Sequence, residues 1–205
     1  MTAATPMPGA PRILRETAAG LTSIGIYDEM LSRRELALIG EVQEWVSFEL
    51  CQHLLFLERQ DPAAEITLFI SSPGGSVSAG LAVVDVMAAI SCPVRTVCLD
   101  RAASMGAVIF TMGDRREMSA HAELMIHDPL IQQGAGGSAL AVRETSQRLM
   151  ETRRTMSTLL AERSGLTLKR VQSLTAKDTF LSAERACELG FADAIISSRK
   201  EAAHA

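Results

Sequence analysis

Residues 65–80 read EITLFISSPGGSVSAG, and this stretch decides the fold class. The apolar run at 65–70 is typical of a short buried strand, and SSPGGS, residues 71–76, is a turn signal. Residues 77–90, VSAGLAVVDVMAAI, then predict a helix. Because strands alternate with helices in this way along the rest of the chain, the sequence predicts an α/β fold.

Other segments continue the alternation on both sides of this unit. Upstream, apolar spacing predicts an amphipathic helix from Val42 to about Arg59. Downstream, strands are predicted in CPVRTVCL (92–99) and in ELMIHDPL (123–130), which runs into a turn at Asp128 and Pro129. The remaining predictions are a long helix at 139–163 stopped by Gly165, a helix near 167–175, LSAERACELG (181–190) with a stop at Gly190, and FADAIIS (191–197).

The length of 205 residues indicates one domain with a sizeable core. Residues 1–20 are rich in proline and glycine and lack periodicity, so we expect a flexible or processed tail there. The domain is expected to cover residues 21–198, and residues 199–205 to form a flexible C-terminal tail.

Composition excludes several classes of protein. A net charge of -4, with 47% apolar and 21% charged residues, argues against a nucleic-acid-binding protein, because no basic stripe is present. No apolar run reaches the roughly 20 residues needed to span a bilayer, and no signal peptide is recognisable. The four cysteines lack the paired spacing of a zinc site or a disulfide framework. We therefore expect a cytoplasmic protein with reduced thiols, no metal and no membrane partner.

Ser104 lies among small residues in LDRAASMGAVIF, residues 99–110, where a helix is expected to begin. Small residues allow a helix to start tightly against a sheet, and they also leave room for a substrate carbonyl beside a nucleophilic hydroxyl. The nucleophile-elbow pattern G-x-S-x-G is incomplete, since Ala102 occupies its first position.

A serine nucleophile needs a histidine as general base and an acid that orients this histidine. The chain has four histidines: His204 lies in the tail and His53 inside the first amphipathic helix. His121, in a turn-like segment, and His127, at the end of a strand, are equally good candidates, and several aspartates could supply the acid. The Pro-Gly-Gly turn at 73–75 is either a simple tight turn or a source of backbone N–H groups for an oxyanion.

Four segments resemble the signature regions of the proteolytic subunit family of the Clp protease (ClpP). They are SSPGGSVSAG, AASMGAVIF, ELMIHDPL and KDTFLSAERACELGFAD, in the family's order and with similar gaps. GIYDEMLSRRELALIG resembles the family's N-terminal region, and the similarity runs from about Ile24 to Ile196. The resemblance implies a crotonase-like spiral of β-β-α units with a protruding long helix, and a serine endopeptidase that hydrolyses unfolded proteins.

The resemblance also implies a role for each matching position. Ser104 matches the family's nucleophile, His127 its general base and Asp178 the acid that holds the imidazole. The backbone N–H groups of Gly75 and Met105 match the oxyanion hole. The glycine-rich patch matches the strand that pairs with bound peptide by strand addition, and its residues are Gly134, Gly136 and Gly137.

Assembly is a further implication of the resemblance. The family forms a tetradecamer of two stacked heptameric rings, with the long helix between the rings. An AAA+ Clp ATPase threads in unfolded substrates, so the subunit itself is expected to need no cofactor. The resemblance assigns ATPase docking to Phe69, Thr67 and Ala89, but aromatic side chains are expected at the last two positions. Lys177 also stands where the family usually has arginine. These departures suggest an accessory paralogue that works in mixed rings with another subunit of this kind.

Three other functions remain as alternatives. A signal-peptide-peptidase-like enzyme would need a lysine near Ser104, and the chain offers Lys169, Lys177 and Lys200. An acyl-CoA enzyme of the crotonase type would use the oxyanion hole without a triad. A structural ring subunit would have no activity.

Overall fold

The computed structural model describes residues 12–17, 20–131 and 136–196. Its strands are β1 (Arg12–Thr17), β2 (Gly20–Gly25), β3 (Glu35–Ile39), β4 (Ile66–Ser72), β5 (Val94–Ala103), β6 (Arg115–Met118), β7 (Glu123–Ile126), β8 (Thr179–Ser182) and β9 (Ala194–Ile195). Its helices are α1 (Ile26–Ser32), α2 (Glu44–Gln60), α3 (Val77–Ala89), α4 (Met105–Thr111), α5 (Ala139–Ser164), α6 (Leu168–Thr175) and α7 (Ala183–Glu188).

A seven-stranded, mostly parallel sheet forms the centre of the described part of the chain. Its main path runs β3-β4-β5-β6-β9, with parallel pairing at every step. The long strand β5 changes partner along its length: residues 95–98 pair with β6, and residues 101–103 pair with β7. β8 then adds antiparallel to β7. The second half of β5 therefore leads out of the main path into the layer that holds β7 and β8.

The core lies between this sheet and the helices that return from it. α2 buries Leu54 and Leu57, α3 buries Val83, and both helices contact each other over the sheet. Every residue of α4 is buried, so this short helix is enclosed by the protein on all sides. Removing such apolar surface from water is the main source of stability, at roughly 25 cal/mol per Å². α4 and the residue before it are therefore fixed in a rigid part of the fold.

The predicted α/β class is confirmed, and most predicted elements appear close to their expected bounds. α5 begins and ends as predicted, with Gly165 in the left-handed conformation (φ 73°) just after its last residue. β4 extends two residues beyond the predicted end because Ser71 and Ser72 still pair with neighbouring strands. β8 was not predicted, since it is only four residues long and leads directly into α7.

An antiparallel hairpin, β1 and β2, precedes the main sheet. Its first strand lies within the segment that the sequence placed in a tail. Arg15 of β1 forms an ion pair with Glu29 of α1, which connects the hairpin to the domain. Residues 1–11 and 197–205 lie outside the described residues. Among the residues described, no helix has the length and apolar character required to cross a bilayer.

Candidate active site

Ser104 lies at the junction between β5 and α4, in an unusual backbone conformation. Its φ is 53° and its ψ is -121°, a region that residues with a side chain rarely occupy. Such a conformation costs about 1–3 kcal/mol and persists only where the surrounding structure enforces it. The sharp turn from strand to helix at Ser104 resembles the geometry of a nucleophile elbow, although the glycine pattern in the sequence is incomplete.

Hydrogen bonds on both sides hold Ser104 in this conformation. Its backbone N–H donates to the carbonyl of Met125 in β7, over 2.8 Å. Its carbonyl accepts from the N–H groups of Ala107 and Val108, over 3.0 and 3.2 Å. Pairing of β5 with β7 therefore fixes one side of the turn, and the first turn of α4 fixes the other.

The Pro-Gly-Gly turn packs directly against Ser104. A Cβ atom on Gly74, where φ is +94°, would lie 2.6 Å from the Cβ of Ser104 and 2.7 Å from the carbonyl oxygen of Ala103. A Cβ atom on Gly75, where φ is +148°, would lie 2.4 Å from the carbonyl oxygen of Val42. All three distances are too short for real contacts, so the absence of side chains is what permits Gly74 to approach Ser104 and Gly75 to approach Val42.

The backbone N–H of Met105 follows Ser104 directly, and that of Gly75 belongs to the turn that packs against Ser104. Gly74 is close enough to α4 that an added Cβ would lie 3.0 Å from the backbone nitrogen of Met105. Met105 is the first residue of α4, where N–H groups have no partner within the helix. Within the described part of the chain, no acceptor is bound by the N–H groups of Gly75 and Met105. Within the described residues, both N–H groups are therefore free to bind an external acceptor.

His127 follows the last residue of β7, and its side chain reaches Ser104. The Nε2 atom of His127 lies 2.8 Å from the Oγ atom of Ser104, which is hydrogen-bond distance. The imidazole is largely enclosed, with 15% of the side chain exposed. This geometry allows the imidazole to accept the hydroxyl proton of Ser104.

The register of β7 and β8 brings Asp178 to His127. Ile126 is paired with Thr179 in the antiparallel ladder, so the next positions, His127 and Asp178, face each other across the two strand ends. The distance from Nδ1 of His127 to Oδ1 of Asp178 is 3.3 Å. Asp178 is much more open to solvent than His127, with 64% of its side chain exposed. The structure thus brings together Ser104, His127 and Asp178.

The other candidate bases are placed elsewhere. His121 is exposed in the turn before β7. His53 is half-buried on α2. No lysine nitrogen in the described ranges is hydrogen-bonded to Ser104, and Lys177 is exposed. Lys200 and His204 lie outside those ranges.

The glycine-rich patch is described only in part. Gly134 lies outside the described residues, whereas Gly136 and Gly137 are exposed just before α5 and belong to no strand. Gly137 has a φ of +116°, which favours glycine.

The predicted docking residues lie on two elements. Phe69 and Thr67 are half-buried on the same face of β4, and Ala89 is exposed at the end of α3. An exposed apolar surface on α2, which was not predicted from the sequence, includes Phe48, Leu55 and Phe56. These side chains line a surface cavity of about 420 Å³ together with Gln52 and Arg59. Phe48 and Phe56 could have indicated this surface, because they do not belong to the spacing of apolar residues that forms the buried face of the helix.

The cysteines are all free, and none is a competing nucleophile. Burial raises the pKa of the Cys98 thiol to about 12, with a smaller contribution from the nearby Asp100 carboxylate. Burial also raises the pKa values of Cys51, Cys92 and Cys187. Thiols with raised pKa values remain protonated and unreactive near neutral pH. Within the described ranges, no group of three or more His, Cys, Asp or Glu side chains could hold a metal ion.

Comparisons with known proteins show the family of this chain. The family model described as Clp protease matches residues 18–199. A Streptococcus suis protein named ATP-dependent Clp protease proteolytic subunit is 37% identical over 192 residues, which cover 93% of this chain and 98% of the relative. A Streptococcus pneumoniae protein of the same name is 37% identical over 190 residues, which cover 92% of this chain and 97% of the relative.

Proposed function

The chain belongs to the Clp protease family and is a serine peptidase, and on that premise we propose that Ser104, His127 and Asp178 are its catalytic triad. The observation that carries the proposal is the 2.8 Å contact between Ser104 Oγ and His127 Nε2, with Asp178 on the opposite side of the imidazole. In this arrangement Ser104 can act as the nucleophile, His127 as the base and Asp178 as the acid that orients the base, as hydrolysis of a peptide bond requires.

In the proposed reaction, His127 accepts the hydroxyl proton as Ser104 Oγ attacks the peptide carbonyl. The bond from Oγ to carbon forms, and the carbonyl electrons move to its oxygen. The N–H on Nδ1 of His127 donates to the carboxylate of Asp178, which fixes the tautomer with a free Nε2 and stabilises the imidazolium. The carbonyl then re-forms as the C–N bond breaks, and His127 gives its proton to the leaving amine. Water attacks the acyl group by the same proton transfers in the second step, which breaks the ester bond and restores the Ser104 hydroxyl.

The backbone N–H groups of Gly75 and Met105 are proposed to bind the oxyanion. Hydrogen bonds from such fixed donors strengthen as negative charge develops on the oxygen, and each lowers the barrier by roughly 3–4 kcal/mol. The proposal is supported by the close approach of the Pro-Gly-Gly turn to Ser104, which only glycine permits.

Unfolded protein chains are the proposed substrates, and the segment at 134–137 is proposed to bind them as an added strand. Main-chain hydrogen bonds of this kind accept many sequences, because they do not depend on side chains. The relatives are named as subunits of an ATP-dependent protease, and we propose the same dependence for this chain. A Clp ATPase would use the ATP and supply unfolded substrate, so the subunit itself needs no cofactor.

Oligomeric assembly is supported by the apolar surface of α2. Phe48, Leu55 and Phe56 are exposed in the single chain, and apolar patches of this kind mark contacts with other proteins. We propose that the surface contacts other subunits in two stacked heptameric rings, with α5 between the rings.

The four free cysteines support a location in the cytoplasm, where thiols stay reduced.

Thr67 and Ala89 favour a second candidate function, that of an accessory subunit in mixed rings. Neither position has the aromatic side chain that an ATPase-binding pocket would need beside Phe69, while the proposed triad is complete. Under this hypothesis, native mass spectrometry is expected to show stable double rings only when a sister subunit is added. A stable homomeric fourteen-mer that degrades substrate with an ATPase would contradict it.

Covalent labelling tests the proposed triad. A fluorophosphonate probe is expected to modify Ser104 alone, because His127 activates no other hydroxyl in the described structure. Peptide mapping of the labelled, assembled protein identifies the modified residue, and heat-denatured protein is the control. Labelling of another serine, or no labelling of the assembled protein, would contradict the assignment of Ser104.

A further inference from the structure

Asp178 raises the question of what holds a catalytic carboxylate in place at an exposed position. Its side chain is 64% exposed, and in the described part of the chain its polar contact is with His127. An exposed carboxylate with one partner keeps its position only if the backbone beneath it is fixed. That backbone is the short loop between Thr175, the last residue of α6, and Thr179, the first residue of β8.

Asp128, the residue after His127, is bonded to this loop and to α5. Its Oδ1 atom accepts from the hydroxyl of Thr175 over 2.6 Å, and its backbone N–H donates to the carbonyl of Thr175 over 2.7 Å. Its Oδ2 atom accepts from Nε of Arg153 over 2.6 Å. Arg153 also donates to the carbonyl of Gln172, over 3.4 Å, so it contacts α6 as well. Together, Asp128, Thr175 and Arg153 form a clamp across the ends of β7 and α6.

The clamp lies where a small displacement would separate the base from the acid. Asp128 is adjacent to His127 in the chain, and Thr175 is three residues before Asp178. The two hydrogen bonds between Asp128 and Thr175 therefore hold together the two segments that carry His127 and Asp178. On the other side, the hydroxyl of Thr179 donates to the carbonyl of Leu174 over 2.6 Å, which closes the loop around Asp178.

The ion pair of the clamp is partly exposed, whereas Thr175 is buried, with 3% exposed. The Asp128 side chain is 30% exposed and that of Arg153 is 23% exposed. Ion pairs that are partly exposed are screened by solvent and typically contribute little to folding stability. Catalysis, in contrast, is sensitive to misplacement by about 1 Å, which can cost about a hundredfold in rate. Loss of the ion pair should therefore affect the reaction more than the fold.

We propose that Asp128 is a positioning residue for peptide hydrolysis, which holds the α6–β8 loop so that Asp178 remains opposite His127. The inference rests on the triad proposed above, in which Asp178 orients the imidazole. Asp128 contacts neither Ser104 nor the imidazole in the described hydrogen bonds, so it acts through the loop and not on the reacting atoms.

A double-mutant cycle with Asp178 tests this role in the full, assembled protein. Asp128→Ala is expected to lower kcat for a short peptide about tenfold with KM within about twofold, since substrate binding is not altered. In the Asp178→Asn background, the same substitution is expected to change the rate by less than about twofold, because the contact that it protects is already lost. Rates of fluorophosphonate labelling provide the measurement where turnover is slow.

Conservative variants separate the hydrogen bond from the shape of the side chain. Thr175→Val removes the hydroxyl and keeps the size, and it is expected to lower kcat severalfold. Thr175→Ser keeps the hydroxyl and is expected to restore most of the rate. Glu188→Ala removes an exposed ion pair with Arg185 on α7 and serves as the matched control with unchanged kcat. Native mass spectrometry verifies that each variant has the wild-type assembly.

The outcomes distinguish the two proposals. Full activity of Asp178→Asn would overturn the triad, and the inference about Asp128 with it. A strong loss in Asp178→Asn, combined with an equal effect of Asp128→Ala in both backgrounds, would overturn only the positioning role. Equal activity of Thr175→Ser and Thr175→Val would also contradict the positioning role.

Discussion

Ser104→Ala is expected to lower peptide hydrolysis by about 10⁴-fold or more, because no acyl-enzyme can form without the hydroxyl. Hydrolysis of a fluorogenic peptide by the purified, assembled protein is the measurement. The backbone hydrogen bonds of Ser104 with Met125 and Ala107 do not involve the side chain, so the fold should be retained. Activity of Ser104→Ala within about tenfold of the wild type would contradict the assignment of the nucleophile.

Ser104→Gly is the matched variant, because it removes the hydroxyl and also relieves the backbone conformation. With a φ of 53°, alanine at this position keeps the unfavourable conformation, whereas glycine adopts it at little cost. Both variants are expected to be inactive, but the glycine variant should be more stable than the alanine variant by about 1 kcal/mol. This corresponds to a Tm difference of about 2–4 °C in thermal unfolding. A lower Tm for the glycine variant would show that Ser104 is not strained.

His127→Ala is expected to reduce peptide hydrolysis as severely as Ser104→Ala, about 10⁴-fold or more, since the hydroxyl then lacks a base. His121→Ala is the matched control, because the sequence alone gave both histidines equal standing and His121 is exposed in a turn away from Ser104. Its activity should remain within about twofold of the wild type. The double variant Ser104→Ala/His127→Ala should be no less active than either single variant, because the two side chains act as one unit.

Initial rates with one fluorogenic peptide, compared at equal concentration of assembled protein, measure these effects. A severe loss in His121→Ala with normal rates in His127→Ala would reverse the assignment of the base. Additive losses in the double variant would contradict a shared proton transfer between Ser104 and His127.

Elements with strong local signals could be predicted from the sequence. β4 and α3 were predicted because an apolar run, a Pro-Gly-Gly turn and a helical pattern follow one another within 26 residues (65–90). α5 was predicted because Gly165 ends a long helical pattern. β8 was missed because four residues carry little periodicity, and its existence depends on pairing with β7, which is distant in the sequence.

The candidate site could be predicted only in part from the residues themselves. Ser104 was singled out by its small neighbours, but the choice between His121 and His127 stayed open, and Asp178 was named only through the family resemblance. Both choices depend on the register of two strands that no local pattern specifies. The clamp formed by Asp128, Thr175 and Arg153 was not foreseen, because Asp128 next to a proline is typical of an ordinary turn.

The pairing of β7 with β8 has a consequence for how such a chain can vary. All of α5 and α6 lies between His127 and Asp178 in the sequence, yet a four-residue ladder brings the two side chains together. The alignment of base and acid therefore depends on this ladder and on the clamp beside it, and not on the length of the segment between them. Natural variation can therefore change the outer part of the segment that contains α5 and α6, and with it the contacts to other subunits, without changing the hydrolytic chemistry.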